Sequence, residues 1–440
     1  MTPMTTSTRI QSAVALLLVF VLGSFLSGTA QTNTENFAQF RFNFNNPGAR
    51  AAGIGGAFIS IADDATAAEA NPAGLTTLIR PELSFETKGI QFKQKVANFS
   101  SSGTAANYTL ESKIFRRPVI SPSFASFVYP LRGITLSVFR YELVNFESAF
   151  FTKGSFVPTL RDGSTFFPVK ADTRLKVVNW GGAFAYKLSG RFSVGASAGV
   201  STISMQSSLT RYFLEVFDPG SIANTATIDD NDLNFFVNAG LIYKPADNLA
   251  IGAIFKRRPT FSLSHTFRFT DFPKDSTTTK DITFNVPSSA GIGVSYRPTD
   301  VLTLSVDAVW IAYSQLTDKF VLTISEQAAQ ASDFKVDNGF EIHGGAEYVL
   351  FLKSVALVLR GGVYVEPDNR IRWTGNVNDT TDPNRIFSRQ LLAGLFQKGS
   401  SYVHGTFGLG VVLSNSFQVD VAGSLSSVTD ELVGSLVVRL

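Results

Sequence analysis

The sequence predicts an all-β protein: a fourteen-stranded antiparallel transmembrane β-barrel with an N-terminal hatch segment inside its lumen. Three observations lead there. Apolar and polar residues alternate with period two from about Glu82 to the C-terminus. The connections between these alternating stretches are sorted by length, short and long in turn. Ahead of them, residues 48–75 read GARAAGIGGAFISIADDATAAEANPAGL, too rich in Gly and Ala to serve as a membrane strand.

The first element is a targeting segment. Arg9 is the only charge before the apolar run Ala13–Leu26, and Ser27-Gly28-Thr29-Ala30 supplies the small residues a signal peptidase reads. Residues 1–30 are therefore expected to be a signal peptide, with Gln31 the mature N-terminus. The run has 14 residues, short of the roughly 20 a spanning helix needs. Residues 31–81 form the expected hatch, and 82–440 the barrel.

Composition narrows the class. With no cysteine, an exported chain has no disulfide framework and depends on its core or a membrane. The formal charge of +3 falls to +2 once Arg9 is removed, which argues against nucleic acid as a partner. Phe is abundant, 40 against 3 Trp, yet no later apolar run is long enough for a helical span. The longest, Tyr348–Val365, is broken by Lys353 and Arg360. An apolar exported chain without spanning helices is either a soluble β-protein or a barrel.

Strands are expected at 82–93, 121–131, 134–151, 172–188, 191–213, 230–244, 247–270, 281–297, 301–323, 338–349, 354–366, 401–413, 416–427 and 430–440. In 301–310, Leu302, Leu304, Val306, Ala308 and Trp310 share one face and Thr303, Ser305 and Asp307 the other. Phe417, Val419, Val421 and Leu425 oppose Gln418, Asp420 and Ser424 in the same way. Connections after the even-numbered strands are short. Those after the odd-numbered ones are long, up to Pro367–Ser400, and the last hairpin near Val428–Asp430 is the exception. A sandwich has no reason to sort loops by parity. In a barrel, the apolar faces meet lipid and the Ser, Thr, Gly, Asn and Asp faces line the lumen. Fourteen strands enclose more space than their side chains fill, since about eight already leave a narrow interior. Residues 31–81 are the natural occupant.

These residues resemble the FadL-type family of outer-membrane transporters for long-chain fatty acids and aromatic hydrocarbons. The resemblance starts at Gly48-Ala49-Arg50-Ala51-Ala52-Gly53 and Gly55-Gly56-Ala57-Phe58. It continues through Ala62-Asp63-Asp64-Ala65 and Asn71-Pro72-Ala73-Gly74-Leu75. Softer matches are Tyr129-Pro130-Leu131, Ala185-Tyr186-Lys187-Leu188 and Ser295-Tyr296-Arg297-Pro298. Ala70 departs from the pattern, where many relatives carry an aromatic residue, and so does the terminal Leu440. The resemblance implies passive uptake of a hydrophobic small molecule across the bacterial outer membrane, in contact with its lipid. It also implies an internal hatch and a sideways exit beside a kinked third strand. Some FadL-like barrels instead shuttle or anchor proteins in a secretion system, so a protein partner belongs to that alternative.

The candidate residues follow. Gly53, Gly55 and Gly56 do not have dinucleotide-loop spacing and read as a tight hatch turn. Asp63 and Asp64 are expected to cap turns or pair with lumenal Arg side chains, with no metal. Asn71, Pro72 and Ala73 make a turn in the hatch. Phe37 and Phe40, continued by Phe42 and Phe44 at period two, are candidates to line a ligand pocket. Phe150, Phe151, Phe156 and Val157, with Phe166 and Phe167 further on, are candidates for an apolar entry groove. The histidines are His265, His343 and His404. Glu341 and His343 share a face, but nothing marks a nucleophile, so no catalytic residue, cofactor or enzymatic activity is expected.

Overall fold

The computed structural model describes Phe42 and residues 44–101, 108–152, 169–212, 222–269, 276–318, 331–353, 355–376, 396–414 and 416–440. The signal segment 1–30, Phe37, Phe40, Phe156, Val157, Phe166 and Phe167 lie outside the described residues. No helix among those described is long and apolar enough to cross a membrane.

The strands are β1 (Glu82–Ser101), β2 (Tyr108–Pro130), β3 (Ile134–Thr152), β4 (Val169–Lys187), β5 (Phe192–Tyr212), β6 (Ile222–Ala246), β7 (Leu249–Arg257), β8 (Thr260–Phe269) and β9 (Ser276–Asn285). They continue with β10 (Ser289–Thr299), β11 (Leu302–Ile311), β12 (Phe334–Lys335), β13 (Gly339–Leu352), β14 (Val355–Glu366), β15 (Arg372–Trp373), β16 (Tyr402–Leu413), β17 (Phe417–Leu425) and β18 (Thr429–Arg439). Strands β7 and β8 are one wall strand interrupted at Arg258-Pro259, and β9 and β10 one interrupted around Pro287. Proline has no N–H for a ladder, so each break falls where the chain cannot donate. Strands β12 and β15 pair with each other outside the wall, Phe334 opposite Trp373. Counting each interrupted strand once leaves fourteen antiparallel wall strands. Strand β1 pairs with β18 from Glu82↔Arg439 to Phe92↔Thr429, which closes the cylinder. Closure is obligatory, because lipid cannot satisfy an open strand edge.

The wall strands correspond one for one with the predicted ones, although the one expected over 301–323 ends at Ile311, where a 3₁₀ turn over Tyr313–Thr317 takes over. Several run further at the long-loop end: β1 reaches Ser101, and β2 and β6 start at Tyr108 and Ile222. Beyond the membrane both faces of a strand meet water, so the period-two signal fades while the ladder continues. The same effect hides the start of β6, expected at 230 and found at Ile222.

Exposure alternates as the pattern requires. Leu304 and Val306 are exposed, whereas Ser305 and Asp307 are 4% and 1% exposed. Phe417, Val419 and Val421 face out against buried Gln418 and Asp420. Near the short turns Tyr129, Tyr186, Tyr243, Tyr296 and Tyr348 are all exposed, on β2, β4, β6, β10 and β13. Such a ring fits an aromatic girdle, where an amphipathic ring has its apolar body in lipid and its hydroxyl in water. Leu304→Arg or Val306→Arg is expected to destabilise the barrel by roughly 2–4 kcal/mol. Asp300→Arg, in the adjacent turn, should change stability by under about 0.5 kcal/mol. Urea unfolding in lipid vesicles reads both; equal penalties would refute the assigned outward face.

Candidate functional site

Residues 44–78 lie against the lumenal faces of strands around the cylinder. Helix α1 (Ala49–Gly53) packs Ala49 and Ala52 on Ala422 and Val433. It ends through Gly55 and Gly56, whose φ values of 69° and 78° lie in the left-handed region that glycine enters without strain. The Gly56 N–H returns to the Ala51 carbonyl at 2.9 Å. A second short helix, α2 (Ala67–Ala70), leads to a 3₁₀ turn over Pro72–Thr77. Asn71 caps that turn: its Oδ1 accepts from Ala73 N at 3.2 Å, and its Nδ2 donates to the Ile59 carbonyl at 2.8 Å and the Leu241 carbonyl at 3.2 Å.

Close approach to the wall depends on strand glycines. A Cβ on Gly195 would overlap Pro72, and one on Gly240 would overlap the Asn71 side chain. The wall is thus shaped for this segment at the Asn71-Pro72-Ala73 turn.

The charges are organised into one chain. Arg50 donates to both oxygens of Glu347, at 2.9 and 3.0 Å, and pairs with Asp63. Arg360 donates to Glu347 at 2.7 Å and to Asp420 at 2.6 Å. Gln418 joins Asp420 to Arg439, and Arg439 donates to Glu82 at 3.0 Å. Glu82 then accepts the Ala65 N–H at 2.7 Å, back on the segment. Asp64 accepts from Thr66 N at 2.9 Å, closing a local turn, and burial pushes its carboxyl above the usual range. Glu69 is fully buried between Arg258 (2.9 Å) and Lys256 (3.4 Å), and accepts from Asn238 at 3.0 Å. Burial opposes its ionisation, but the two cations and these hydrogen bonds outweigh that and hold its carboxyl below the usual range.

An aromatic pocket lies further along the lumen. Phe42 and Phe44 stack at 5.2 Å beside Phe92, Tyr364, Glu366 and His404. His343 Nδ1 meets the Gly55 carbonyl at 2.6 Å and its Nε2 lies 3.4 Å from Glu341. Among the described residues no group of His, Cys, Asp or Glu side chains is arranged to hold a metal.

The wall itself changes between β2 and β3. Their ladder runs from Tyr129↔Leu136 and Pro130↔Thr135 up to Phe124↔Tyr141 and stops there. Each strand goes on pairing with its other neighbour, to Ser101↔Tyr108 and Thr152↔Val169. Ser123 and Leu143 are bulged where the ladder stops, and Pro118 and Pro122 remove donors from β2. Side chains bridge the rest: Arg117 to Glu147 at 2.8 Å and Ser121 Oγ to Glu142 at 2.5 Å. Phe92 and Phe146 pack at 5.1 Å, both buried.

The predicted residues thus divide. Gly53, Gly55, Gly56, Asp63, Asp64, Asn71, Pro72 and Ala73 all lie in the lumenal segment. Phe150 is buried with Val169, Leu209 and Phe267, while its neighbour Phe151 points to the outer face, as alternation demands. The sequence reading passed over Glu69, Glu347, Arg360, Asp420 and Tyr364. For the last four the signal was present, as ionisable or hydroxyl-bearing residues at lumenal parity in strands that lipid covers; Glu69, in α2, carries no such signal.

The family model described as "Outer membrane protein transport protein (OMPP1/FadL/TodX)" matches residues 26–369. Among solved structures, a Pseudomonas aeruginosa FadL homologue is 14% identical, with 90% of this chain and 98% of that one covered and a TM-score of 0.63. The P. putida toluene transporter TodX is 15% identical over 90% and 99%, with a TM-score of 0.62. The Ralstonia pickettii toluene transporter TbuX is 15% identical over 90% and 99%, with a TM-score of 0.58. No curated protein matches the chain.

Glu69 sets a pH dependence. Its folded pKa lies below the ordinary 4.5, so its contribution is complete above that value and is lost as pH falls through the folded pKa. The stability gap between wild type and Glu69→Gln should therefore hold above pH 4.5 and shrink below it. Urea midpoints across pH check this; a gap that widens on acidification would refute it. Arg50→Leu leaves Asp63 with only the longer contact to Arg297 and Glu347 with Arg360 alone, and one-sided loss of a buried pair costs up to about 3–5 kcal/mol. Limited proteolysis should then cut within residues 45–75, while the barrel keeps its heat-modifiable gel shift.

Proposed function

Because the chain belongs to the OMPP1/FadL/TodX family of outer-membrane transport proteins, we propose that it carries hydrophobic small molecules inward by passive diffusion, with residues 31–81 as a hatch. The family places it in the bacterial outer membrane as a transport channel. Ligand enters the lumen from the long-loop side, rests among aromatic side chains and leaves sideways into the bilayer between β2 and β3. One observation carries this reading. Above Phe124↔Tyr141 the two strands share no ladder, and buried aromatic side chains, Phe92 and Phe146 among them, lie in the lumen beside them.

The charged chain through Arg50 supports a segment held in place by bonds that can break and re-form. Apolar ligands in apolar pockets need few polar anchors, which agrees with the aromatic lining. No step calls for a nucleophile or a cofactor.

Deleting Asn45–Ala73 tests the hatch. The deletion ends before β1, so the closing ladder to β18 remains. Conductance in planar bilayers should rise sharply, and selective uptake of toluene or a long-chain fatty acid should fall. Unchanged conductance in a correctly assembled barrel would refute the hatch role.

A further inference from the structure

The aromatic pocket has one feature that apolar packing does not call for. Its polar groups are nearly all committed. Glu366 accepts from Asn369 at 2.8 Å and from His404 Nε2 at 3.0 Å. Glu341 accepts from the Tyr313 hydroxyl at 3.0 Å. The exception is His404 Nδ1. His404 is 2% exposed, its ring stacks on Tyr364 at 4.1 Å, and Nδ1 has no hydrogen-bond partner. A carboxylate can only accept, so Glu366 fixes the ring proton on Nε2. The Nδ1 of the neutral ring is then a bare acceptor. Buried acceptors left in this state are rare and favour any occupant that supplies a donor.

The void beside this ring has room for at most about one water molecule. Phe42 and Phe44 take up the rest of the space, and both belong to the segment proposed to move. A ligand that displaces one of these phenyl rings inherits its surroundings: flat aromatic neighbours, one free acceptor and two carboxylates on the lining, Glu341 and Glu366.

We propose that this pocket selects a neutral aromatic ligand with a single hydrogen-bond donor, a phenol, whose hydroxyl donates to His404 Nδ1. The proposal rests on the transport reading above and names the ligand class for it. A hydrocarbon leaves Nδ1 unpaired. An aryl ether brings an oxygen but no donor, and sets two acceptors against each other. A fatty-acid anion meets the two carboxylates and finds no cation among the described residues of the lining.

Titration calorimetry of the detergent-purified full chain with toluene, p-cresol, 4-methylanisole and octanoate at neutral pH tests this. One hydrogen bond to a buried acceptor is worth roughly a factor of ten in affinity. The expected result is p-cresol about tenfold tighter than toluene and than 4-methylanisole, with octanoate weakest. In His404→Phe the p-cresol to toluene ratio should fall towards one. If that variant does not assemble, the wild-type comparison of p-cresol with its methyl ether decides alone. Toluene and 4-methylanisole binding as tightly as p-cresol would overturn the inference and leave the transport reading standing. Octanoate binding tightest would overturn it too, in favour of an anionic ligand. If none of the four binds, the transport reading falls and takes the inference with it.

Discussion

Arg50 is the residue on which the interior depends. A fourteen-stranded cylinder is too wide for its own side chains to fill, so a separate stretch of chain occupies it and must be held at a defined height and rotation. Apolar packing alone does this poorly, because small Ala and Gly side chains slide past one another. The charges supply the register. From Arg50 the chain passes through Glu347, Arg360, Asp420, Gln418, Arg439 and Glu82 and returns to the segment at Ala65 N. It crosses β13, β14, β17, β18 and β1, and so ties the segment to the seam where the first and last strands meet. Buried ion pairs add little net stability, since desolvation cancels most of the attraction. Their value here is specificity: one arrangement satisfies every member.

That arrangement requires the segment to lie almost in contact with the wall backbone. At Gly345 and Gly362 a Cβ would overlap the backbone around Ile54 and Gly55. Gly in a strand ordinarily weakens it through lost packing and greater chain entropy. Here the lost side chain is replaced by the segment's own backbone, so the weakness of the isolated strand becomes the fit of the assembled one. Wall and segment are complementary surfaces, and neither sequence pattern is fully intelligible without the other.

This explains what could be read from the sequence and what could not. The membrane-facing half of each strand was legible because lipid imposes a one-residue alternation: Leu304 and Val306 against Ser305 and Asp307 needed no other information. Loop-length parity gave the strand count and the closure. The lumenal half obeys no periodic rule. Glu347, Arg360 and Asp420 lie on three different strands and share a site through register alone. Glu69 sits at the place where Asn238, Lys256 and Arg258 converge, and none of those contacts is encoded within ten residues of it. Phe150 and Phe151 show the limit in one pair: composition marked both as costly to expose, but alternation buries one and leaves the other on the outer face.

The wall has a second place where a ladder lapses, and comparing the two explains why the proposed exit lies between β2 and β3. Along β6 the backbone pairs with β8 at Asn224–Ile228 and with β7 from Val237 onward, and not between. There Asp230 and Asp232 accept the backbone N–H groups of Ser264 and Ser262, at 2.8 and 2.7 Å, and Asn234 donates to the Thr260 carbonyl at 2.6 Å. Side chains of one strand thus stand in for its backbone and satisfy the other, so this seam stays closed. Between β2 and β3 the bridges Arg117–Glu147 and Ser121–Glu142 join side chain to side chain. They leave the facing backbone groups without each other. In a membrane such groups must be served by water or by protein, and the lumen is the source of both. Parting β2 from β3 breaks these bridges, the Asn145–Ser121 bond and one bond from Arg140 to the Pro122 carbonyl, but no backbone ladder. Parting β6 from β8 would strip partners from Ser262 and Ser264. The cheaper separation lies beside the buried rings of Phe92 and Phe146, where an apolar ligand loses least on passing from protein to lipid.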